Sequence, residues 1–281
     1  MYGISINGVH SSTIPVVWKT TQRPFMPEAK TYYESLSDSD SDFDFSEFNE
    51  DGRQHYNDRV FEGTISVVGR NMSEIHLLLT KVARWLFGGW KTLEFDDMPG
   101  TVWTAKVENT NQINYELSRI GVASVYFRVK PFSKWFLDSA AGGVPLDTDK
   151  IDIESDIPID LDLNPTYTFS QGSQQITINN FGDWYTTPIL SITGTFTKLT
   201  LASGTKQFVY NGTIQTGDIL IIDCEKTLAT KNGQNVMPLL SGTGLEFVPG
   251  NNELTITSDG TGEVTVTFDF KFLNGAVINY A

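Results

Sequence analysis

The run from residue 263 to 272 constrains this chain more than any other: Val264, Val266, Phe268, Phe270 and Phe272 alternate with Glu263, Thr265, Thr267, Asp269 and Lys271. A strict period of two sets five apolar side chains on one face of a strand and the polar ones on the other, as in an antiparallel sheet with one dry and one wet face. Short strand-like runs precede it at 174–179, 188–196, 198–202, 206–210, 218–223, 236–240 and 252–258, broken by Gly, Asn, Asp and Pro. Strands at this spacing predict a sandwich or jelly roll from about residue 166 to the end.

Nearer the start the period changes. Ile75, Leu78, Leu79, Val82 and Leu86 recur at helical spacing, which predicts one amphipathic helix over 73–87. Asn71 or Ser73 can cap its start, and Gly88-Gly89 can make the left-handed turn that ends it. Strand-like runs at 60–68, 102–107 and 122–130 surround it, so residues 1–137 are expected to form a sheet covered by one helix. The fold class expected is therefore mainly β in two domains. Between them, 138–165 is rich in Gly, Pro and acid, a composition of extended, solvated linker.

Charge is concentrated in two places. The net charge is −14, and residues 31–52 carry eight carboxylates without a Lys or Arg, while 138–163 carry eight against Lys150 alone. The remainder is close to neutral. Such an acidic chain is not built to hold a nucleic-acid backbone. The segment 34–52, with its Ser-Asp repeat, is expected to be an exposed loop or hairpin tip. The longest apolar runs, such as Ile219–Ile222, are far shorter than the roughly 20 residues of a membrane span. The first eight residues lack the features of an export signal, which predicts a chain made in a cytoplasm. Cys224 is the only cysteine, so no internal disulfide or cysteine-built metal cage is possible.

Candidate chemistry is sparse. His10, His55 and His76 stand in no zinc or catalytic spacing. Asp38, Asp40 and Asp42 match the start of a calcium loop, but Phe43 occupies its glycine position and Asn49 its bidentate glutamate position. Asp96-Asp97 before Met98-Pro99 are explained by a turn, since glycoside hydrolysis needs carboxylates across a substrate. No phosphate loop, nucleophile elbow or zinc-protease motif is present. The chain is expected to be no enzyme and to need no cofactor or metal. Trp184, Tyr185 and Trp135 are candidate platforms for a carbohydrate or a protein partner, although such aromatics more often fill a core.

A larger pattern joins these pieces. The helix ending Ala83-Arg84-Trp85-Leu86-Phe87-Gly88-Gly89 is followed by Lys91–Phe95, the turn Asp96-Asp97-Met98-Pro99, the strand Val102–Val107 and later Phe127-Arg128-Val129-Lys130-Pro131-Phe132. Further on stand Ile178-Asn179-Asn180-Phe181-Gly182-Asp183-Trp184, Ile221-Ile222-Asp223 and Phe247-Val248-Pro249-Gly250. In order and spacing this resembles the distal tail protein (Dit) family of long-tailed phages (siphophages) from about residue 60 to 272. Asn180-Phe181-Gly182 departs from the family's Gly-Asn opening, and the Ser-Asp run lies outside the pattern.

The resemblance implies a β-sandwich-like N-terminal domain that forms a ring and a C-terminal sandwich like galectins or carbohydrate-binding modules. It implies a virion protein of the tail tip or baseplate, made in the host cytoplasm. Its partners would be five copies of itself in a homo-hexamer, the tail tube protein and the tail-associated hub protein. Back-to-back pairing of rings and contact with receptor-binding proteins are left open. DNA would pass through the ring without specific binding, and no membrane is involved. The alternative is a carbohydrate-binding adhesin for host cell-wall saccharide.

Overall fold

The computed structural model describes residues 3–14, 16–38, 40–47, 52–108, 113–117, 120–141, 163 and 165–275. The acidic linker expected over 138–165 lies mostly outside the described residues, as do Asn49 and the carboxylates of Glu50 and Asp51. The chain forms two compact units, Met1–Ser133 with Leu273–Gly275, and Lys134–Phe272. The sequence assigned 134–137 to the first domain. Instead, Trp135 is buried in the core of the second unit, with Phe136 and Leu137 packed against it, because its ring fits edge-on between Phe136 and Phe270.

In the first unit the strands are β1 (Ile4–Ile6), β2 (Val9–His10), β3 (Val16–Gln22), β4 (Tyr33–Glu34), β5 (Phe43–Asp44) and β6 (Arg59–Val68). After helix α1 (Met72–Leu86) come β7 (Lys91–Phe95), β8 (Thr101–Val107), β9 (Ile113–Leu117), β10 (Ile120–Val129) and β11 (Ser133–Trp135), inside which the units divide. The sheet runs β2-β1-β7-β8-β10-β6-β3, with β9 folded onto β10. Its centre is the ten-residue antiparallel pair of β6 and β10, in register from Ile120 opposite Val68 to Val129 opposite Arg59. Alternate residues of that pair, Phe61, Ile65, Val67, Val125, Phe127 and Val129, are buried.

Helix α1 covers this sheet with Ile75, Leu78, Val82 and Trp85, each worth roughly 1.5–3 kcal/mol when fully buried. Leu79 and Leu86, expected on the inner face, are only partly buried. Trp85 takes the inner position and donates its indole N–H to the Val9 carbonyl at 3.1 Å. Asn71 caps the helix by accepting the Glu74 N–H at 3.0 Å, and Gly88 turns the chain away at φ +125°.

The second unit contains β12 (Thr166–Phe169), β13 (Gly172–Asn180), β14 (Ile189–Ser203), β15 (Lys206–Ile214), β16 (Leu220–Asp223), β17 (Leu228–Lys231) and β18 (Gln234–Asn235). It ends with β19 (Leu240–Gly242), β20 (Gly250–Ser258), β21 (Thr261–Thr267) and β22 (Lys271–Phe272). All pairings between these strands are antiparallel. The first half of β14 pairs with β16 and β21, and its second half with β15 and β20, so one strand serves both sheets of the sandwich.

Three expectations are corrected here. The runs 188–196 and 198–202 are one strand, bent by a bulge between Phe196 and Lys198, where Asp259 accepts the N–H groups of Thr197 and Lys198, both at 2.9 Å. Residues 237–239 form a 3-10 turn with Pro238 inside it, since proline has no N–H for a ladder. The run 263–272 is not one strand: β21 stops at Thr267. Beyond it the alternation persists, and Phe268, Phe270 and Phe272 remain buried. The backbone there is satisfied singly, with Ser139 Oγ accepting the Phe268 N–H at 2.9 Å and Thr186 Oγ donating to the Asp269 carbonyl at 3.0 Å.

Candidate assembly surfaces

The first unit carries an acidic arm. Ala29 bridges Tyr56, and Lys30 N–H donates to the His55 carbonyl at 2.7 Å, so the chain runs out and back as a two-stranded ribbon. Farther out, β4 and β5 pair with Tyr33 opposite Asp44 and Glu34 opposite Phe43. The Ser-Asp segment closes this ribbon, which is the hairpin tip that its composition predicts. Glu34, Asp38, Asp40, Asp42, Asp44 and Glu47 are all exposed, and the Ser46 side chain and N–H hold the Asp44 carboxyl below the usual carboxylate range. Apolar groups are exposed beside them: Phe25, Met26, Tyr32, Tyr33, Leu36 and Phe43 are all 47% or more accessible. No cluster of metal-ligating side chains occurs among the described residues.

A second surface lies on the outward face of α1. His76, Leu77, Thr80, Lys81 and Arg84 are exposed, and the turn after the helix presents Phe87 at 84% and Trp90 at 42% accessibility. Between Glu74 and Glu94 the sequence has Lys81, Arg84 and Lys91 and no carboxylate. Lys106 and Lys130 approach the Trp90 ring at 5.1 and 4.3 Å, favourable cation-π distances. Sequence reasoning missed this face, although the absence of acid over those residues was a usable signal.

The aromatic candidates separate. Trp135 is 4% exposed within the second unit's core, which leaves no ring face for a sugar or a partner. Trp184 and Tyr185 are half-buried, with ring centroids 5.6 Å apart and nearly perpendicular. Their loop is fixed: the Asn180 amide donates to the Trp184 carbonyl at 2.9 Å, and the Trp184 N–H donates to the Lys271 carbonyl at 3.2 Å. A separate cavity of about 140 Å³ is lined by Ser139, Tyr167, Phe181 and Phe268 among others, and among the described residues no carboxylate, histidine or lysine lines it.

Asp96, Asp97 and His10, which have acid-base potential, are held in structural roles. Asp97 takes both Arg23 terminal nitrogens at 3.0 and 2.7 Å, and that pairing keeps its carboxyl below the usual range. Asp96 accepts the Gly3 N–H at 2.6 Å and faces His10 Nε2 at 3.1 Å. Ser12 Oγ lies 2.7 Å from His10 Nδ1, which completes a Ser-His-Asp line. That nitrogen also accepts the Ser12 N–H at 3.2 Å, so the histidine caps the 3-10 turn Ser11–Thr13 and ties it to the turn after β7.

Comparison with known proteins agrees with this architecture. Residues 181–272 match the family model of the siphovirus-type tail component, C-terminal domain. No curated protein sequence matches the chain. Among solved structures, the fold is similar to SPP1 Dit, described as a paradigm of the hub adsorption apparatus in phages infecting Gram-positive bacteria. The match has a TM-score of 0.68 at 12% identity and covers 97% of this chain and 100% of that one. Residues 181–272 are thus a siphovirus-type tail component C-terminal domain, and the chain has the fold of SPP1 Dit along nearly its whole length.

Proposed function

We propose that six copies close into a ring that forms the hub of the tail tip, joining the tail tube to the tail-associated protein and the adsorption apparatus. The observation that carries this reading is the similarity of fold to the SPP1 hub protein over 97% of the chain. The role is structural and involves no catalysis. The copies are made in the host cytoplasm, and DNA passes through the ring without specific contact. A net charge of −14 suits such a channel, since a basic lining would retard a polyanion. Native mass spectrometry and negative-stain imaging of the purified chain should reveal closed rings of six at high concentration. A chain that stays monomeric up to millimolar concentration would refute this reading.

A second reading rests on Trp184 and Tyr185, whose partly exposed rings are held on a fixed loop beside Asp183 and Lys271. They would stack on a host cell-wall saccharide. Glycan-array binding lost in Trp184→Ala supports it, and an array without any bound saccharide excludes it.

A further inference from the structure

We infer that the free edge of β13 takes an extended segment of a partner protein as an added strand, with one bulky apolar side chain of that segment seated in the cavity beside it. The site lies wholly in the second unit and does not depend on ring closure.

The other open edges of this unit's sheets are short: β12, β18 and β19 have four, two and three residues. β13 differs from all of them. It runs for nine residues, pairs with β20 from Gly172 opposite Ser258 to Asn180 opposite Gly250, and meets no second strand among the described residues. Alternate residues of an antiparallel strand turn both N–H and C=O away from their neighbour, so β13 presents a row of backbone donors and acceptors. Proteins blunt such an edge with Lys, Pro, a bulge or an inward charge. Here the ladder has no register shift, and residues 166–182 contain no charged residue and no proline. Nothing along this edge repels a strand.

The cavity of about 140 Å³ supplies a pocket for a side chain. Thr177, Ile178 and Asn179 of β13 and Tyr167 of β12 line it, together with Phe181 and Phe268, so it opens where the edges of the two sheets part. Its rim residues Thr177 and Asn179 are exposed, while Ile178 and Phe268 are buried. The Ser139 hydroxyl in its wall is already occupied, donating to the Val266 carbonyl at 3.1 Å and accepting the Phe268 N–H at 2.9 Å. An apolar cavity of this size holds a benzene-sized group. Added strands of this kind gain affinity from main-chain bonds and specificity from such pockets. A second copy of β13 fits poorly as the occupant: its exposed residues are Ser173, Gln175, Thr177 and Asn179, and its Ile176 and Ile178 pack on its own core.

Amide hydrogen exchange and a peptide probe test this in the full chain. Without a partner, alternate amides of β13 should exchange fast and those between them slowly. The probe is a short capped peptide of alternating threonine and valine with one central phenylalanine, labelled for fluorescence anisotropy. Its binding should protect the fast amides. Alanine in place of the peptide's phenylalanine should weaken binding about tenfold, and so should Thr177→Lys, which sets a charge at the edge and at the cavity rim. Thr257→Lys, exposed on β20 inside the same sheet, should leave affinity within about twofold.

β13 amides that are all slow in the free chain would overturn the inference, as would no anisotropy change up to about 1 mM chain. Binding indifferent to the peptide's phenylalanine and to Thr177→Lys would do the same. Dimers of the chain that Thr177→Lys abolishes, with no peptide bound, would assign the edge to a second copy and also overturn it.

Discussion

The guanidinium of Arg59 lies 4.9 Å over the ring of Trp103, and both residues are almost fully buried. The arginine donates to the carbonyls of Pro131 at 2.9 Å and Pro24 at 3.2 Å, and also to that of Leu273. Burial pushes its pKa down to about 10, so it stays charged at neutral pH. The group gathers three chain segments through their carbonyls, and its planar fork suits several acceptors at once.

Removing it should be costly. Arg59→Met leaves buried carbonyls without donors, at about 1–3 kcal/mol each, so a total loss on the order of 3 kcal/mol is expected from urea unfolding. Arg59→Lys keeps the charge without the fork and should recover less than half of that. A midpoint unchanged in Arg59→Met would show that water replaces the guanidinium.

Acid stability should depend on two carboxylates of the second unit. Asp218 is lowered to about 2 by its bond to Lys231, with Gln215 N–H and Asn232 adding to it. Asp259 is lowered to about 2 by the Thr197 hydroxyl and the N–H groups at the β14 bulge. Each folded pKa lies below its ordinary value of 3.8. Their contribution is therefore complete above about pH 4 and is lost as pH falls toward 2. Thermal scans should show a falling midpoint across that window and a shallower fall in Asp218→Asn/Asp259→Asn. Parallel curves for the two proteins would assign the acid sensitivity elsewhere.

Features set by neighbours in sequence were legible, and features set by distant partners were not. The 3.6-residue period gave α1 to within one residue at each end, since the cap at Asn71 and the turn at Gly88 are local. Alternation over 263–272 identified the buried face correctly. It could not show where the ladder ends, because that depends on Ser139 and Thr186 reaching Phe268 and Asp269. The join of 188–196 to 198–202 at Thr197 was hidden for the same reason: the bulge there is held by Asp259, from a distant turn. Of the candidate contacts, the exposed acidic arm was visible in composition. The burial of Trp135 was not, since Phe270 lies 135 residues away.

Close backbone approach should make one glycine irreplaceable. A Cβ on Gly260 would lie 1.9 Å from the Thr195 carbonyl oxygen, where the turn between β20 and β21 presses on β14. Gly260→Ala must push the two strands apart, a strain of about 1–3 kcal/mol or more. Gly89, with open space around its Cβ position, should accept alanine within about 0.5 kcal/mol. Equal midpoints for the two variants in denaturant titrations would contradict the tight packing at this crossing.

Trp135 and Trp184 should part company when each is truncated. Trp135 contacts Phe136 and Phe270 at centroid distances of 5.6 and 6.0 Å within a core it helps to fill, so Trp135→Ala leaves a cavity and should cost about 3–5 kcal/mol. Trp184 is half-buried, and its loop is held through backbone groups that alanine retains. Trp184→Ala should therefore change stability by only about 1 kcal/mol. Ring formation should survive it, because the resemblance assigns the ring to the first unit and Trp184 lies in the second. Rings lost in Trp184→Ala while the fold persists, judged by circular dichroism and native mass spectrometry on one sample, would move the subunit contact to the second unit.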